Sequence, residues 1–498
     1  MPRSARRARR LFLPLLVAAA GCTPAVRAAP SPAPAAAPLA AALDSVFADT
    51  AFRRATWAVL VRDPATGATL YRRNADKMLV PASNMKVVTG AAALEALGPD
   101  WRFRTTVAAA GPVRDGTLRG DLVVRGGGDP TLSGRLQGGD PRAAFRAWAD
   151  SLRARGITRV TGRVVGDDDV FDDVPLGRGW AWDDLGAGYS AEVGGLELNE
   201  GVVEVRVSPG ARPGEPARVT LSPPTGYVPV ENRAVTVAAG TPARVRADRA
   251  AQGPGIVVSG TVPLDTAGVD DEVAVRDNTL YFATVLRETL REAGVEVQGP
   301  AVDADALPPA ERAAAAAPLF VHASPPMREV LAAFMKPSQN QIGEILLKTL
   351  GRELRGEGTA SAGAAAIDSL FRARGLPTGA LAQADGSGLS RYNLVAPELL
   401  AALLEQMTRS PHRDAWYAAL PVGGVDGTLA GRFRGTPLEG RLRAKTGTLS
   451  GVRALSGYVP GPDGKPLVFS ILLNHHTRSA RDADRVIDAA LLRISAAR

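Results

Sequence analysis

Ser83 and Lys86 are the residues of this chain whose types and spacing could do chemistry together. In Pro81-Ala82-Ser83-Asn84-Met85-Lys86, a hydroxyl and an amine stand three residues apart at the start of a helical pattern that runs to Leu97 and stops at Gly98-Pro99. Positions i and i+3 share a helix face, so the two groups can meet. An unprotonated lysine there could take the serine's proton and leave a nucleophile. The plainer reading of a serine at a helix start is an N-cap, so the pair needs support from elsewhere in the sequence.

The first support is the scarcity of lysine. Of 59 basic residues only six are lysine (Lys77, Lys86, Lys336, Lys348, Lys445 and Lys465), and none falls between residues 87 and 335. Arginine keeps its proton at any accessible pH, whereas lysine can lose its own when desolvated or set beside another cation. A chain that otherwise writes its cations as arginine has a chemical reason for each lysine it keeps. The net charge of +8 is spread among Ala, Gly, Pro and Asp, with no basic run beyond the first ten residues and no interleaved aromatics, which argues against a nucleic-acid partner. The 498 residues, 45% of them hydrophobic, suffice for two or three domains.

The elements that must position the pair follow in order. Residues 1–22 read as a signal peptide: a run of arginines, the apolar stretch Leu11 to Ala20, then Gly21-Cys22. Cys22 is the only cysteine, so neither a disulfide nor a thiolate metal site is expected. Its setting resembles a lipobox, with Ala19 where leucine is commonest, which would make Cys22 a lipid anchor. Ordinary cleavage near Ala28 is the alternative, and both imply export to the periplasm or cell envelope. Residues 23–40 are an Ala/Pro-rich tether. A catalytic unit is expected from 41–101 and 275–498, interrupted by an inserted, mostly β region over 102–274, as one unit or two small domains. Within the catalytic unit, Trp57 to Arg62 and Ala68 to Arg72 read as a hairpin, and Arg453 to Val459 and Leu467 to Asn474 as another.

Two further motifs complete a trio. Ser338-Gln339-Asn340 follows Lys336-Pro337 in a break between helices, and Lys445-Thr446-Gly447-Thr448 ends a strand. Serine-lysine, serine-x-asparagine and lysine-threonine-glycine in this order are the signature of penicillin-binding proteins and class A β-lactamases. With Gly126-Gly127-Gly128-Asp129-Pro130-Thr131-Leu132, Asp385-Gly386-Ser387-Gly388-Leu389-Ser390 and Phe469 to His475, the chain resembles the D-alanyl-D-alanine carboxypeptidase/endopeptidase family, the low-molecular-mass class C penicillin-binding proteins, over nearly all of residues 40–498. The resemblance implies an α/β (α+β) penicillin-binding-protein/β-lactamase-like fold, an antiparallel sheet covered by helices. Its long insertion between the first two motifs is far shorter in β-lactamases.

The resemblance also implies roles. Ser83 would be acylated by a peptidoglycan stem or cross-link peptide, with Lys86 accepting its proton and Lys445 as the cation that lowers the pKa of Lys86. Ser338 would pass a proton to the leaving amine, and Asn340 would hold Lys86 and the substrate amide. Lys445, Thr446, Gly447 and Thr448 would take the terminal carboxylate, and the N–H groups of Ser83 and Thr448 would form the oxyanion hole. For the stem-peptide side chain the candidates are Asp167, Asp169, Phe171 and Arg391. β-Lactams would be covalent inhibitors; no cofactor, metal or nucleic acid is expected, and membrane contact only through an N-terminal lipid. Competing readings are a β-lactamase or esterase on the same fold and a catalytically silent wall-binding protein. Only His322, His412, His475 and His476 are available for histidine chemistry, and none has the spacing of a nucleophile elbow or a metal site.

Overall fold

The strand Pro466–Asn474 is buried along all but its first residue, and it has to be, because the run Leu467 to Leu473 carries apolar side chains on both pleat faces. In this computed structural model, which describes residues 36–312 and 316–497, that strand is the centre of a five-stranded antiparallel sheet. The order is Thr69–Arg73, Thr56–Arg62, Pro466–Asn474, Val452–Pro460 and Arg443–Leu449. Cys22, the signal segment and most of the tether lie outside the described residues.

Alternation sends the two sides of the central strand into different cores. Phe469, Ile471 and Leu473 pack with Leu43, Phe47, Ile487 and Leu491 of the helices Ala36–Phe47 and Ala480–Ala496. Val468 and Leu472 pack on the other face, under Val88, Leu331, Ile345 and Leu400 of the helices Met85–Leu97, Met327–Met335, Gln341–Arg355 and Pro397–Met407. Lys445 pairs with Ser456 and Ser456 with Ser470, so these three fully buried polar residues form one row across the sheet. The sheet and its helices are thus the α/β (α+β) arrangement, an antiparallel sheet covered by helices, that the resemblance implies.

The inserted region carries its own sheets and its own core. A mixed five-stranded sheet runs Ala301–Asp303, Val164–Asp167, Asp121–Arg125, Arg104–Ala110, Ala317–Ala323, and two three-stranded sheets occupy the span from Val202 to Ala274. The expected exit from the insert at residue 274 is wrong. The helix Asn278–Glu292 buries Tyr281, Phe282, Val285 and Leu286 against Phe145 and Trp148 of the insert, and Ala317–Ala323 pairs with Arg104–Ala110. The chain rejoins the catalytic core only at Met327. The return of helical periodicity at 278 marks a helix, but which core its stripe faces is decided by long-range pairing that local pattern does not encode.

Phe282 is fully buried with its ring 4.8 Å from that of Phe145 in an edge-to-face contact. Phe282→Ala is expected to destabilise the insert by about 3–5 kcal/mol. Thermal unfolding followed by tryptophan fluorescence would show it as a lowered midpoint, and an unchanged midpoint would contradict the assignment of this helix.

Candidate active site

The turn that carries Ser83 is a single 3-10 turn, Ala82–Asn84, running into the helix Met85–Leu97. Ala82 sits at φ 47°, a region an L-residue enters only when its surroundings hold it there. Two glycines do the holding. A Cβ on Gly388 would lie 1.9 Å from the Ala82 carbonyl oxygen, and one on Gly447 would lie 2.6 Å from that of Pro81. Asn84 Nδ2 also donates to the Lys445 carbonyl at 3.0 Å, fixing the lysine strand to the serine turn. Ser83 is left half-buried with its hydroxyl beside the fully buried Lys86.

Lys86 Nζ is 3.0 Å from Ser83 Oγ, 2.6 Å from Asn340 Oδ1 and 2.7 Å from the Ser387 carbonyl oxygen. The first and second motifs and the Asp385–Ser390 loop therefore meet at one nitrogen. Burial lowers the pKa of Lys86 to about 7, against the pull of Asp385 and Glu344 in the opposite direction. The cause is desolvation and not, as the sequence suggested, the charge of Lys445. Lys445 is also fully buried and is itself pushed down by burial, by Lys86 and by Arg453.

The remaining predicted residues divide. Asn340 also donates from Nδ2 to the Tyr189 carbonyl at 2.7 Å. Ser338 occupies the helix break at φ 67°, and its side chain makes no hydrogen bond among the described residues. Thr446 Oγ1 is bonded to Thr428 Oγ1 at 2.7 Å, and Thr448 is exposed and touches Arg453, which Asp484 grips through both oxygens. Arg391 reaches the end of the same strand, donating to the Ser450 carbonyl at 3.0 Å. Asp167, Asp169 and Phe171 do not join the site. Asp167 pairs with Arg125 at 3.2 Å, Asp169 is exposed, and Phe171 is buried beneath Lys348, its ring filling the space where a Cβ on Gly128 would be. Lys336, counted with the second motif, instead pairs with Asp426 at 2.5 Å and secures the loop before the lysine strand.

The loop 178–190 went unread in the sequence. Trp180 Nε1 donates to Asp385 Oδ2 at 3.0 Å, Arg178 lies over the Tyr392 ring, and the Gly188 and Tyr189 carbonyls accept from Gln341 and Asn340. Tyr189 donates its hydroxyl to Asp184 at 2.5 Å, which with burial pushes its pKa up to about 12. The signal was present as Trp180-Ala181-Trp182, two of the chain's six tryptophans. Asp385, an acceptor for Gly388 N, Ser390 N and Asn393 Nδ2 as well, is the centre of the glycine-rich loop.

With this geometry in view, the likenesses to known proteins are specific. The family model for the D-Ala-D-Ala carboxypeptidase 3 (S13) family matches residues 39–494. A D-alanyl-D-alanine carboxypeptidase from an Actinomadura species is 41% identical over 465 residues, 91% of this chain and 84% of that one. The D-alanyl-D-alanine carboxypeptidase DacB of Haemophilus influenzae is 27% identical over 408 residues, 81% of this chain and 82% of its own. The crystal structure of penicillin binding protein 4 from Haemophilus influenzae has the same fold, with a TM-score of 0.75 over 92% of this chain and 97% of that one at 24% identity.

Lys86 is expected to titrate at about pH 7. In protein labelled with 13C-lysine, the signal that disappears in Lys86→Met should show this midpoint; a midpoint near 10 would mean an ordinary lysine.

Proposed function

The chain belongs to the D-Ala-D-Ala carboxypeptidase 3 (S13) family and is a serine-type D-Ala-D-Ala carboxypeptidase, and from that premise we propose that Ser83 is its acylated nucleophile and Lys86 the base that activates it. The observation that carries this reading is the set of three contacts at Lys86 Nζ. A free amine has two N–H bonds and one lone pair. With both hydrogens donated to the Asn340 and Ser387 oxygens, the lone pair faces Ser83 Oγ and accepts its proton.

The reaction then runs as acyl transfer. Ser83 Oγ bonds to the carbonyl carbon of the penultimate D-alanine as its proton moves to Lys86, and the oxyanion is held by the N–H groups of Ser83 and Thr448. The C–N bond breaks as Ser338, assisted by Lys445, gives its proton to the departing amine and takes the Lys86 proton in return, which leaves Lys86 a free amine again. Water deprotonated by Lys86 releases the stem peptide and restores the serine. Lys445, Thr446 and Thr448 bind the terminal carboxylate, with Arg453 adding charge behind Thr448. Cleavage of a peptidoglycan cross-link is the same step with a larger leaving group, and a β-lactam is an acyl donor whose leaving group stays tethered. In place of Asp167, Asp169 and Phe171, the side-chain pocket is assigned to Asp184, Tyr189 and Arg391. The charges of Asp184 and Arg391 suit a side chain ending in both an amine and a carboxylate.

The substrate lies outside the cytoplasmic membrane, which agrees with an exported enzyme of the periplasm or cell envelope. No helix among the described residues is long and apolar enough to cross a membrane. Attachment through a lipid on Cys22 is testable as a diacylglyceryl mass on the N-terminal peptide.

Ser83→Ala is expected to abolish both covalent labelling by a fluorescent penicillin and release of D-alanine. Lys86→Arg should do nearly the same while keeping the charge, because arginine cannot act as the base; substantial activity in it would overturn the free-amine mechanism. Defined muropeptides with products resolved by mass would separate terminal from cross-link cleavage. A label that turns over rapidly would identify a β-lactamase.

A further inference from the structure

The Gln341–Arg355 helix contributes more to the site than Asn340 at its head. One turn further on, Glu344 is buried, at 4% exposure, with no cation paired to it among the described residues. A carboxyl group taken out of water without a counter-ion is costly unless it is fully hydrogen-bonded. Glu344 meets that condition in a particular way. Its Oε2 accepts from Gly386 N and its Oε1 from Ser387 N, both at 2.9 Å, and the carbonyl of the same Ser387 accepts from Lys86 Nζ at 2.7 Å.

The contact is close on the backbone level too. A Cβ on Gly386 would lie 2.1 Å from the Gly343 carbonyl oxygen, and one on Gly343 would lie 3.0 Å from Ser387 Cα, so the turn is pressed flat against the helix. From the other side, Thr89 of the serine helix donates to the Gly386 carbonyl at 2.8 Å. One helix therefore holds the Lys86 nitrogen twice, directly through Asn340 and indirectly through Glu344 and the turn.

We propose that Glu344 is a positioning residue for acylation: it clamps Gly386 and Ser387 so that the Ser387 carbonyl aims Lys86 at Ser83. The charged groups facing Lys86 are Glu344 from this helix, Asp385 from the loop, and Lys445, backed by Arg453, from the sheet. The two carboxylates favour the ammonium form, and burial favours the free amine. Glu344 is itself pushed upward by burial and by Asp385, with the two backbone donors pulling the other way. Removing Glu344 loosens the Ser387 carbonyl as an acceptor of the ammonium, which makes Lys86 a free amine at lower pH.

The test is the pH dependence of Ser83 acylation by a fluorescent penicillin, from about pH 5 to 9, for the wild type, Glu344→Gln and Glu344→Asp. Glutamine can accept only one of the two backbone N–H groups and turns a donor toward the other. It should slow acylation roughly ten- to a hundredfold at the plateau and move the acid limb to lower pH. Aspartate keeps two acceptor oxygens but is one methylene short, so it should slow acylation and move the limb in the same direction by less. A Glu344→Gln limb at the wild-type pH, with only a lowered melting temperature, would overturn the proposal. If that variant does not fold, wild-type rates in Glu344→Asp would overturn it instead. The inference rests on Ser83 being the acylated residue; failure to label the wild type would refute that reading, whereas a labelled wild type with unmoved variants refutes only the role of Glu344.

Discussion

The structure depends above all on the removal of Lys86 from water. A buried ammonium carries a desolvation penalty of several kcal/mol, and a fold can meet it by supplying a counter-ion or by letting the group become neutral. Here the nearest groups to Nζ are neutral oxygens at hydrogen-bond distance, with the carboxyls of Asp385 and Glu344 set behind them. That arrangement makes the proton on Lys86 negotiable near pH 7. Two other lysines show the contrast: Lys348, also buried, pairs with Asp172 at 2.7 Å, and Lys336 with Asp426.

Bringing two motifs and a glycine-rich loop from distant parts of the chain to one nitrogen demands close backbone approach, and the glycines around the site supply it. Gly388 and Gly447 flank the serine turn, and Gly343 and Gly386 let a loop lie on a helix with no side chain between them. The result is a site whose parts are held by main-chain contacts on a rigid sheet, with little for a side-chain rotamer to disturb. Such over-determination is what maintains Ala82 and Ser338 in left-handed conformations that cost each of them on the order of 1 kcal/mol or more.

Much of this was legible beforehand because the chemistry is carried by residue types at short spacing. Ser83 and Lys86 share a helix face, Asn340 follows a helix break, and Lys445 lies in a strand between turn signals; each of these is a local pattern. The antiparallel sheet was legible for the same reason, its hairpins being marked by turn residues. What escaped was non-local. The destination of the Asn278–Glu292 helix depends on the pairing of Ala317–Ala323 with Arg104–Ala110, some two hundred residues apart in sequence. Asp167 and Phe171, candidates for the side-chain pocket through the resemblance, are spent on Arg125 and on a core. The loop 178–190, too irregular to read as an element, reaches Asn340 and Asp385, neighbours of the Lys86 nitrogen.

That loop is joined to the second motif through the carbonyl oxygens of Gly188 and Tyr189, which accept from Gln341 and Asn340. A carbonyl is common to every amino acid, so at residues 188 and 189 the joint does not depend on which side chains the loop displays. The side chain at 189 can therefore change while Asn340 and Gln341 keep the same two acceptors. Trp180 is the opposite case: its contact with Asp385 is made by the indole itself, so the loop is tied to the glycine-rich loop by identity and to the second motif by backbone alone.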